Sequence, residues 1–366
     1  MRVYNLEIFD IQTGELVFPG WSRHINVYHH QINDFSYSFD YFKKETNTIE
    51  VPYSSSIKER QVIKITNATD NSEVYAGIVT SLESGNNGLI KITYSDFMSN
   101  FTDLQMLFDT TVQHSGDSLE IYIYEKLIDY LLWQGWNADD WSHHVVVGYE
   151  TENVTSWGFN IKPEIEGSIY STVNLKSTII DRAATEFDVW IRQSFSDRFI
   201  LDIIHPDDTY EFIETDAPYV INKTIKFEAS QNGANRVRVY NAADGTVIGF
   251  ALKTDGTIAS EEADELVEPP IVTDLLVNVG EGQTFEQRAY EEAVQRLQIE
   301  KTNNYIEIEV HSDANSFNTW KIGQKVKIFH EGNEIQSTLT GIKKNKTLTL
   351  IFGAIRMELT KKIARR

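Results

Sequence analysis

The chain has 366 residues, a net charge of −21 at pH 7, 41 % apolar residues and no cysteine. Its length and apolar content suffice for several domains, each with its own core. The lack of cysteine excludes disulfides, zinc sites with thiolate ligands and cysteine nucleophiles. The charge excludes a general attraction to phosphate backbones, because such affinity comes from lysine and arginine displacing counterions.

The N-terminal segment, MRVYNLEIFDIQTGEL, alternates apolar with polar residues, whereas a signal peptide has an unbroken apolar centre. The sequence contains no run of eighteen apolar residues that would suit a membrane-spanning helix. We therefore expect a protein that is made in the cytoplasm and has no membrane anchor. The many aromatic residues, 19 Phe, 17 Tyr and 7 Trp, favour a strand-rich fold.

Residues 1–101 are predicted to form a first β-barrel. In FSYSFDY, residues 35–41, aromatic residues alternate with serine and aspartate, which is the pattern of a half-buried strand. QVIKITN, VYAGIVTSL and GLIKITYSDF follow as further strands, and the turn-forming segments ATDNSE and ESGNNG separate them.

Residues 102–215 are predicted to form a mixed α/β domain. Asp117 and Glu120 have the spacing of a capping box at the start of SLEIYIYEKLIDYLLWQG, whose apolar residues repeat at helical spacing. A second helix is predicted near residues 175–192. Strands resume at RFILDIIHP and TYEFIETD.

The chain then returns to strands. Residues 216–242 and 300–358 predict a second β-barrel, which is split by an insertion domain at 243–299. The insertion contains an amphipathic helix that begins at Thr284, with Gln287 as its partner in a capping box.

An internal repeat relates the two predicted barrels. Three pairs of segments align in the same order: QVIKI at 61–65 with QKVKI at 324–328, GI at 77–78 with GI at 341–342, and LIKITY at 89–94 with TLTLIF at 347–352. The earlier strands HINVYHH and FSYSFDY take NKTIKFEA and NRVRVYN as counterparts. The predicted fold class is mainly β with α+β insertions, two similar antiparallel β-barrels plus two smaller α/β domains. A trimer would place six similar barrels around one axis in a pseudo-sixfold ring.

Two histidine pairs and one tryptophan-rich loop are candidate ligand sites. His29–His30 and His143–His144 are adjacent in sequence, and neighbouring residues of a strand point to opposite faces, so neither pair readily chelates one ion from one side. WNADDW, residues 136–141, has a composition that suits stacking on a sugar or holding calcium. Its position just after a helix stop favours a packed loop instead.

The sequence carries no recognisable catalytic motif. It has no glycine-rich phosphate loop, no serine elbow and no zinc-protease helix. Asp244 and Asp255 precede glycines at hairpin turns, where aspartate is favoured by the backbone alone. We therefore expect no catalytic residue, no cofactor site and no metal site.

The ending GIKKNKTLTLIFGAIRMELTKKI, the preceding helix TFEQRAYEEAVQRLQ and the split barrel resemble the baseplate hub, or tail-associated, proteins of long-tailed bacteriophages. Those proteins are similar to the hubs of contractile tails and of type VI spikes. The resemblance implies a virion structural protein at the tail tip, a homotrimer that adapts threefold symmetry to the sixfold ring of the distal tail protein. It also implies closure of the tail tube, opening for DNA ejection, and contacts with the tape-measure protein and receptor-binding proteins.

Two other functions remain open at this stage. A carbohydrate- or receptor-binding module of a tail tip is supported by WNADDW and by the aromatic content. A peptidoglycan hydrolase is a third hypothesis, but family members that cleave the wall carry a C-terminal extension. This chain ends at Arg366, shortly after the second barrel, so we expect no wall-degrading activity.

A basic tail, residues 359–366, contrasts with the acidic remainder of the chain. It carries four positive charges, on Lys361, Lys362, Arg365 and Arg366. We expect them to contact an acidic partner or a neighbouring subunit, and a solvated, disordered terminus is the alternative. The negative charge elsewhere would repel DNA, so DNA would pass through a trimer without being bound specifically.

Overall fold

The computed structural model of the chain describes residues 3–12, 23–33, 35–85, 87–101, 105–109, 111–113, 118–133, 145–150, 154–155, 157–160, 169–196, 198–207, 209–227, 234–253, 258–279, 284–297, 304–311, 317 and 319–353. The chain divides into two compact units. The first comprises residues 1–224 and 306–366, and the second comprises residues 225–305.

The described residues between 3 and 95 form seven strands: β1 (Val3–Gln12), β2 (Arg23–Asn33), β3 (Tyr37–Asp40), β4 (Asn47–Pro52), β5 (Val62–Asn67), β6 (Glu73–Ser84) and β7 (Leu89–Ser95). All but β3 form one curled antiparallel sheet in the order β2-β1-β5-β6-β7-β4. A 3-10 helix, Phe97–Phe101, follows the last strand.

Strand alternation determines which face of this sheet is buried. Tyr4, Leu6 and Ile8 of β1 are buried and share one core with Ile63 and Ile65 of β5. Successive side chains of a strand point to opposite faces, so every second residue enters this core. In the described residues the end strands β2 and β4 do not pair with each other, so the sheet is an open half-barrel.

The middle of the chain mixes strands and helices within the first compact unit, and we call this part the middle domain. Its strands are β8 (Gln105–Asp109), β9 (Thr111–Gln113), β10 (Val145–Tyr149), β11 (Gly158–Asn160), β12 (Tyr170–Asn174), β13 (Trp190–Phe195) and β14 (Phe199–Ile204), and its helices are α1 (Leu119–Trp133), a π-helical turn (Lys176–Ile180) and α2 (Asp181–Glu186). Strands β10, β14 and β13 form a mixed three-stranded sheet, and β11-β9 and β12-β8 form two-stranded sheets.

The remaining elements are β15 (Glu211–Glu214), β16 (Val220–Phe227), β17 (Arg236–Asn241), β18 (Val247–Leu252), β19 (Ile258–Ser260), β20 (Val272–Val277), α3 (Phe285–Leu297), β21 (Asn304–His311), β22 (Lys325–His330), β23 (Asn333–Lys344) and β24 (Thr347–Phe352). A second curled sheet runs in the order β15-β22-β23-β24-β21-β16, and β3 also pairs with β23. Mainly β architecture with two half-barrel sheets confirms the predicted fold class.

The two half-barrels share one ring order of strands. The strands correspond in pairs: β1 to β15, β5 to β22, β6 to β23, β7 to β24, β4 to β21 and β2 to β16. The gap lies between β4 and β2 in the first sheet and between β16 and β15 in the second. The predicted match of HINVYHH, in β2, with NKTIKFEA, in β16, agrees with this order. One difference is that β15 runs parallel to β22, whereas β1 is antiparallel to β5.

Three strands belong to other sheets than the sequence predicted. FSYSFDY was expected in the first barrel, but β3 pairs with β23 of the second half-barrel. NRVRVYN was expected in the second barrel, but β17 lies inside a separate four-stranded sheet. Strand β15, expected in the middle domain, pairs with β22. Alternation identifies a strand and its buried face but carries no information about a distant partner strand.

Two helix predictions need correction and one is confirmed. The predicted helix at 175–192 ends with α2, and the rest of that range is a turn followed by β13. Helix α1 is capped by Ser118, whose Oγ accepts the N–H of Ile121 at 3.2 Å, while Glu120 is buried. Asp117, the predicted cap, lies outside the described residues. The capping box of α3 is confirmed, because Thr284 and Gln287 exchange two bonds of 3.3 Å.

The second compact unit has a core of its own. Strands β17 to β20 form a sheet in the order β19-β18-β17-β20. Ala289, Ala293 and Leu297 lie on one side of α3 and are buried with Val237 and Val239 of β17. The predicted apolar stripe of this helix therefore faces the sheet.

Candidate assembly surfaces of the duplicated half-barrel

The strands β5 and β22 are each preceded by a turn with the same pattern, KERQ and KIGQ. In the first turn the N–H of Lys58 donates to Oε1 of Gln61 at 2.7 Å. In the second turn the N–H of Lys321 donates to Oε1 of Gln324 at 3.2 Å. A glutamine side chain thus closes both turns in the same way.

The third residue of each turn is left-handed and anchors the turn to the next strand. The φ angle is 66° at Arg60 and 82° at Gly323. The N–H of Arg60 donates to the carbonyl of Val79 at 2.8 Å, and the N–H of Gly323 donates to the carbonyl of Leu339 at 2.9 Å. Each of these carbonyls lies immediately before a β-bulge.

The bulge residue is a threonine in both copies. Oγ1 of Thr80 donates to the carbonyl of Thr93 at 3.1 Å, and Oγ1 of Thr340 donates to the carbonyl of Ile351 at 3.2 Å. A bulge bends its strand, which here lets β6 pair with β5 over its first half and with β7 over its second. Strand β23 does the same with β22 and β24. The two half-barrels therefore repeat one set of hydrogen bonds.

The predicted repeat is confirmed in two of its three segments. The alignments of QVIKI with QKVKI and of LIKITY with TLTLIF agree with the hydrogen bonds above. The alignment of the two GI pairs is wrong, because the bulges make Gly341 correspond to Ser81 and not to Gly77. A shared dipeptide is too short to fix the register of a strand.

Strand β3 of the first repeat covers the outer edge of β23 beyond the bulge. It pairs antiparallel over four positions: Gly341 with Asp40, Ile342 with Phe39, Lys343 with Ser38, and Lys344 with Tyr37. The N–H of Tyr41 extends the ladder to the carbonyl of Thr340 at 2.9 Å. Thr340 and Gly341 are buried as a result. A segment of the first repeat is thus built into the second half-barrel.

The corresponding edge of β6, residues 80–84, has no strand beside it in the described part of the chain. Exposed residues of this edge are Thr80, Ser81, Glu83 and Ser84. The residues of β23 that correspond to Thr80 and Ser81, namely Thr340 and Gly341, are buried. An unpaired row of backbone N–H and C=O groups is a ready template for another strand. We call residues 80–84 the open edge.

A buried charged junction links β3 to the middle domain. Nζ of Lys176 lies 2.6 Å from Oδ1 of Asp181 and 2.5 Å from the carbonyl oxygen of Tyr41, and both charged side chains are almost fully buried. The ammonium also lies 4.6 Å from the centre of the Tyr41 ring, which packs edge-on against Trp190. Burial raises the pKa of Tyr41 far above its ordinary value, so its phenol stays protonated.

Strand β13 contacts both half-barrels. Toward the second repeat, Nε of Arg192 donates to the carbonyl of Ile322 at 2.8 Å, inside the KIGQ turn. Toward the first repeat, the amide of Gln193 donates to the carbonyl of Ala76 at 3.0 Å. These contacts, with the charged junction, hold the two repeats through the middle domain.

An open groove lies at the gap of the first half-barrel. Residues of β2 and β4 line it, among them His30, Ile32, Thr48 and Glu50. Its lining mixes apolar, neutral polar and ionisable groups without a concentrated charge. We find no arrangement of acid, base and nucleophile in it that would perform a reaction.

The structure describes only some of the predicted site residues. His29 of β2 lies opposite Glu7 of β1, with Nδ1 3.9 Å from Oε1, whereas His30 lines the groove, so the pair does not share a ligand position. Asp244 accepts the N–H of Thr246 at 2.9 Å in a hairpin turn, as its backbone role predicts. The other candidates lie outside the described residues; they are WNADDW, His143–His144, Asp255, Lys361, Lys362, Arg365 and Arg366.

In the part of the chain that the structure describes, no three His, Cys, Asp or Glu side chains come together in a way that would hold a metal ion. None of the helices that the structure describes has the length and apolar composition of a membrane crossing.

No protein-family model matches the chain, and no curated protein does. Solved structures match it along nearly its whole length. The 43 kDa tail protein of prophage MuSo2 from Shewanella oneidensis is 11 % identical, with a TM-score of 0.53 over 96 % of this chain and 98 % of that one. A tail protein from Neisseria meningitidis MC58 is 12 % identical, with a TM-score of 0.50 over 96 % and 92 %. The chain has the fold of these tail proteins.

Sequence reasoning missed the charged junction and the open edge. A single lysine and a single aspartate five positions apart give no sequence signal of burial. The turns KERQ and KIGQ do carry a signal, since Lys and Gln recur at the same spacing before aligned strands. These two residues fix the register of β5 against β22.

Proposed function

We propose that this chain is a structural baseplate hub protein at the tip of a phage tail. It forms a homotrimer that adapts threefold to sixfold symmetry, closes the tail tube and opens it for DNA ejection. The observation that carries the proposal is the duplicated half-barrel, whose turn, left-handed residue and bulge recur with the same hydrogen bonds. The likeness to phage tail proteins supports the virion as its location.

The duplication supports a symmetry adaptor for a geometric reason. Two similar surfaces per chain give a trimer six similar surfaces, and a sixfold ring needs six equivalent contacts. The distal tail protein would supply that ring. The tape-measure protein and receptor-binding proteins are further partners in this proposal.

The acidic charge supports passage of DNA without binding. A chain with a net charge of −21 gives a trimer three times that charge, which repels phosphates along a central path. DNA binding assays at low salt should therefore detect no stable complex with duplex DNA.

Two measurements test the proposal. Antibody labelling of intact virions in the electron microscope should mark the tail tip, and the mass of the purified chain in solution should be that of a trimer, alone or with its ring partner. Label on the capsid, or no label, contradicts the role. A monomer that binds glycans would support the carbohydrate-binding module instead.

The proposed role requires no catalysis by this chain. Zymography on peptidoglycan with the purified protein should give no clearing band at its mass of 42.0 kDa. A known wall hydrolase on the same gel controls for renaturation. A clearing band at this mass would support the hydrolase hypothesis.

A further inference from the structure

The backbone groups of the open edge have a defined direction. The N–H of Gly85 donates to the carbonyl of Leu89 of β7 at 3.0 Å. Hydrogen-bonded positions alternate along an antiparallel ladder, so the groups of Glu83 and Ser81 also point toward β7. The N–H and C=O of Leu82 and Ser84 therefore point away from β7, along the open edge.

The second repeat shows what fits such an edge. Its counterpart on β23 receives β3, an antiparallel strand of four residues from the other repeat of the same chain. The occupant therefore comes from the repeated fold itself and not from an unrelated segment. Among the described residues, each chain thus has one edge covered by a strand and one edge without a partner strand, and the two edges are built in the same way.

We propose that the open edge of β6 pairs with a strand of a second copy of this chain, in the way that β3 pairs with β23. Such a contact is heterologous, because the edge of one copy meets a different surface of the next. Repeated three times it closes a ring in which all six bulged strands are covered. The inference rests on the trimer of the proposed function and names the surface that would hold it together.

The side chains of the open edge suit this pairing. Natural proteins protect exposed edges with proline or inward-pointing charge, and residues 80–84, TSLES, contain no proline and one charge. That charge, on Glu83, is paired with Lys91 of β7 at 3.3 Å. Leu82 turns toward the core of the first half-barrel. No described feature of the edge therefore opposes an incoming strand.

The test compares Ser84→Pro with Ser84→Thr in the full chain. Proline removes the outward N–H of residue 84, and its ring fills the place of that hydrogen. Proline is tolerated at a sheet edge whose N–H faces solvent, so the monomer should fold and melt as before. Threonine keeps the N–H and favours a strand. Sedimentation should show self-association weakened by roughly tenfold or more in the proline variant and unchanged in the threonine variant.

Hydrogen exchange supplies a readout independent of the substitution. The amides of Leu82 and Ser84 should exchange more slowly in the assembled wild-type protein than in the diluted monomer. The inference is overturned if the wild-type trimer leaves these amides unprotected and the Ser84→Pro variant still forms the trimer. The hub function would stand in that case. A wild-type chain that stays monomeric, both alone and with its ring partner, overturns the inference together with the trimer of the proposed function. Intact virions whose tail tips are not labelled by the antibody would instead refute the proposed function.

Discussion

Gly323 and Arg60 occupy equivalent left-handed positions, yet only one of them tolerates a side chain. A Cβ at Gly323 would lie 2.8 Å from Cγ of Trp190. We expect Gly323→Ala to lower the free energy of unfolding by roughly 2–4 kcal/mol, from the left-handed backbone and the clash. Arg60→Gly should change it by less than about 1 kcal/mol. Urea unfolding of both variants checks this, and equal losses would contradict it.

Lys176 and Asp181 form a buried ion pair whose partners need each other. Replacing only the cation, in Lys176→Met, leaves the Asp181 carboxylate in the core without the ammonium that lies 2.6 Å away. We expect a loss of about 3–5 kcal/mol in unfolding free energy. The double variant with Asp181→Leu should lose less, because no charge is left buried. A double variant that is less stable than the single one would refute this account.

We expect the contribution of Asp96 to the free energy of unfolding to fall as pH rises. Burial raises the pKa of its carboxyl, and the N–H and Oγ of Ser99, at 2.8 and 2.5 Å, oppose that shift by bonding the carboxylate. A folded pKa above the unfolded one stabilises the protein below the unfolded pKa, and this contribution is lost as pH rises through the folded pKa. Asp96→Asn should therefore gain stability relative to wild type as pH is raised from below the ordinary aspartate pKa to neutrality.

Asp244 provides the control of opposite sign. The N–H of Thr246 lowers the pKa of its carboxyl, so its contribution is present above the unfolded pKa and lost as pH falls through the folded one. Asp244→Asn should lose stability relative to wild type over the same rise in pH. Thermal unfolding at matched pH values compares the two variants, and trends of the same sign would contradict both assignments.

At the scale of single elements, the start of helix α3 depends on its capping box. Thr284→Ala removes the Oγ1 that accepts the N–H of Gln287 at 3.3 Å. We expect a loss of about 1 kcal/mol and faster amide exchange in the first turn of α3. Thr284→Ser keeps an accepting oxygen and should behave like wild type. An alanine variant with unchanged exchange would show that core packing alone fixes this end.

Local patterns predicted the elements better than their partners. The capping box, the apolar stripe of α3 and the aligned strands of the repeat follow from spacing within a few residues, and the structure confirms them. The placement of β3 depends on contacts with residues some three hundred positions away, for which alternation gives no information. The charged junction is absent from the prediction for the same reason, since the buried ammonium of Lys176 contacts Tyr41, which lies 135 positions away in the sequence.

The segment FSYSFDY, residues 35–41, contributes aromatic side chains to two different cores. Phe35 is buried in the core of the first half-barrel, and Tyr37 packs against it, whereas Tyr41 is buried in the core of the middle domain. Between them, Asn47 bonds both backbone groups of Ser38, at 2.7 and 3.0 Å. The sequence correctly placed the aromatic residues on alternate positions, but it could not divide them between two cores.

The net charge of the chain determines how assembly responds to salt. Copies with a net charge of −21 repel one another, and salt screens that repulsion over a Debye length of about 10 Å at 0.1 M. A trimer held by backbone pairing at the open edge should therefore become tighter as salt rises. The basic tail would act in the opposite sense, because its attraction to an acidic neighbour is strongest at low salt.

Deletion of residues 361–366 separates these two effects. The deletion removes Lys361, Lys362, Arg365 and Arg366, for which we propose a contact with an acidic partner or neighbouring subunit. Exposed ion pairs contribute only about 0.2–1 kcal/mol each, so assembly should weaken modestly, and more at low salt than at high salt. Sedimentation of the full and shortened chains at two salt concentrations measures the difference. If both chains assemble equally at each concentration, the tail makes no contact, because an attraction between charges must vary with screening.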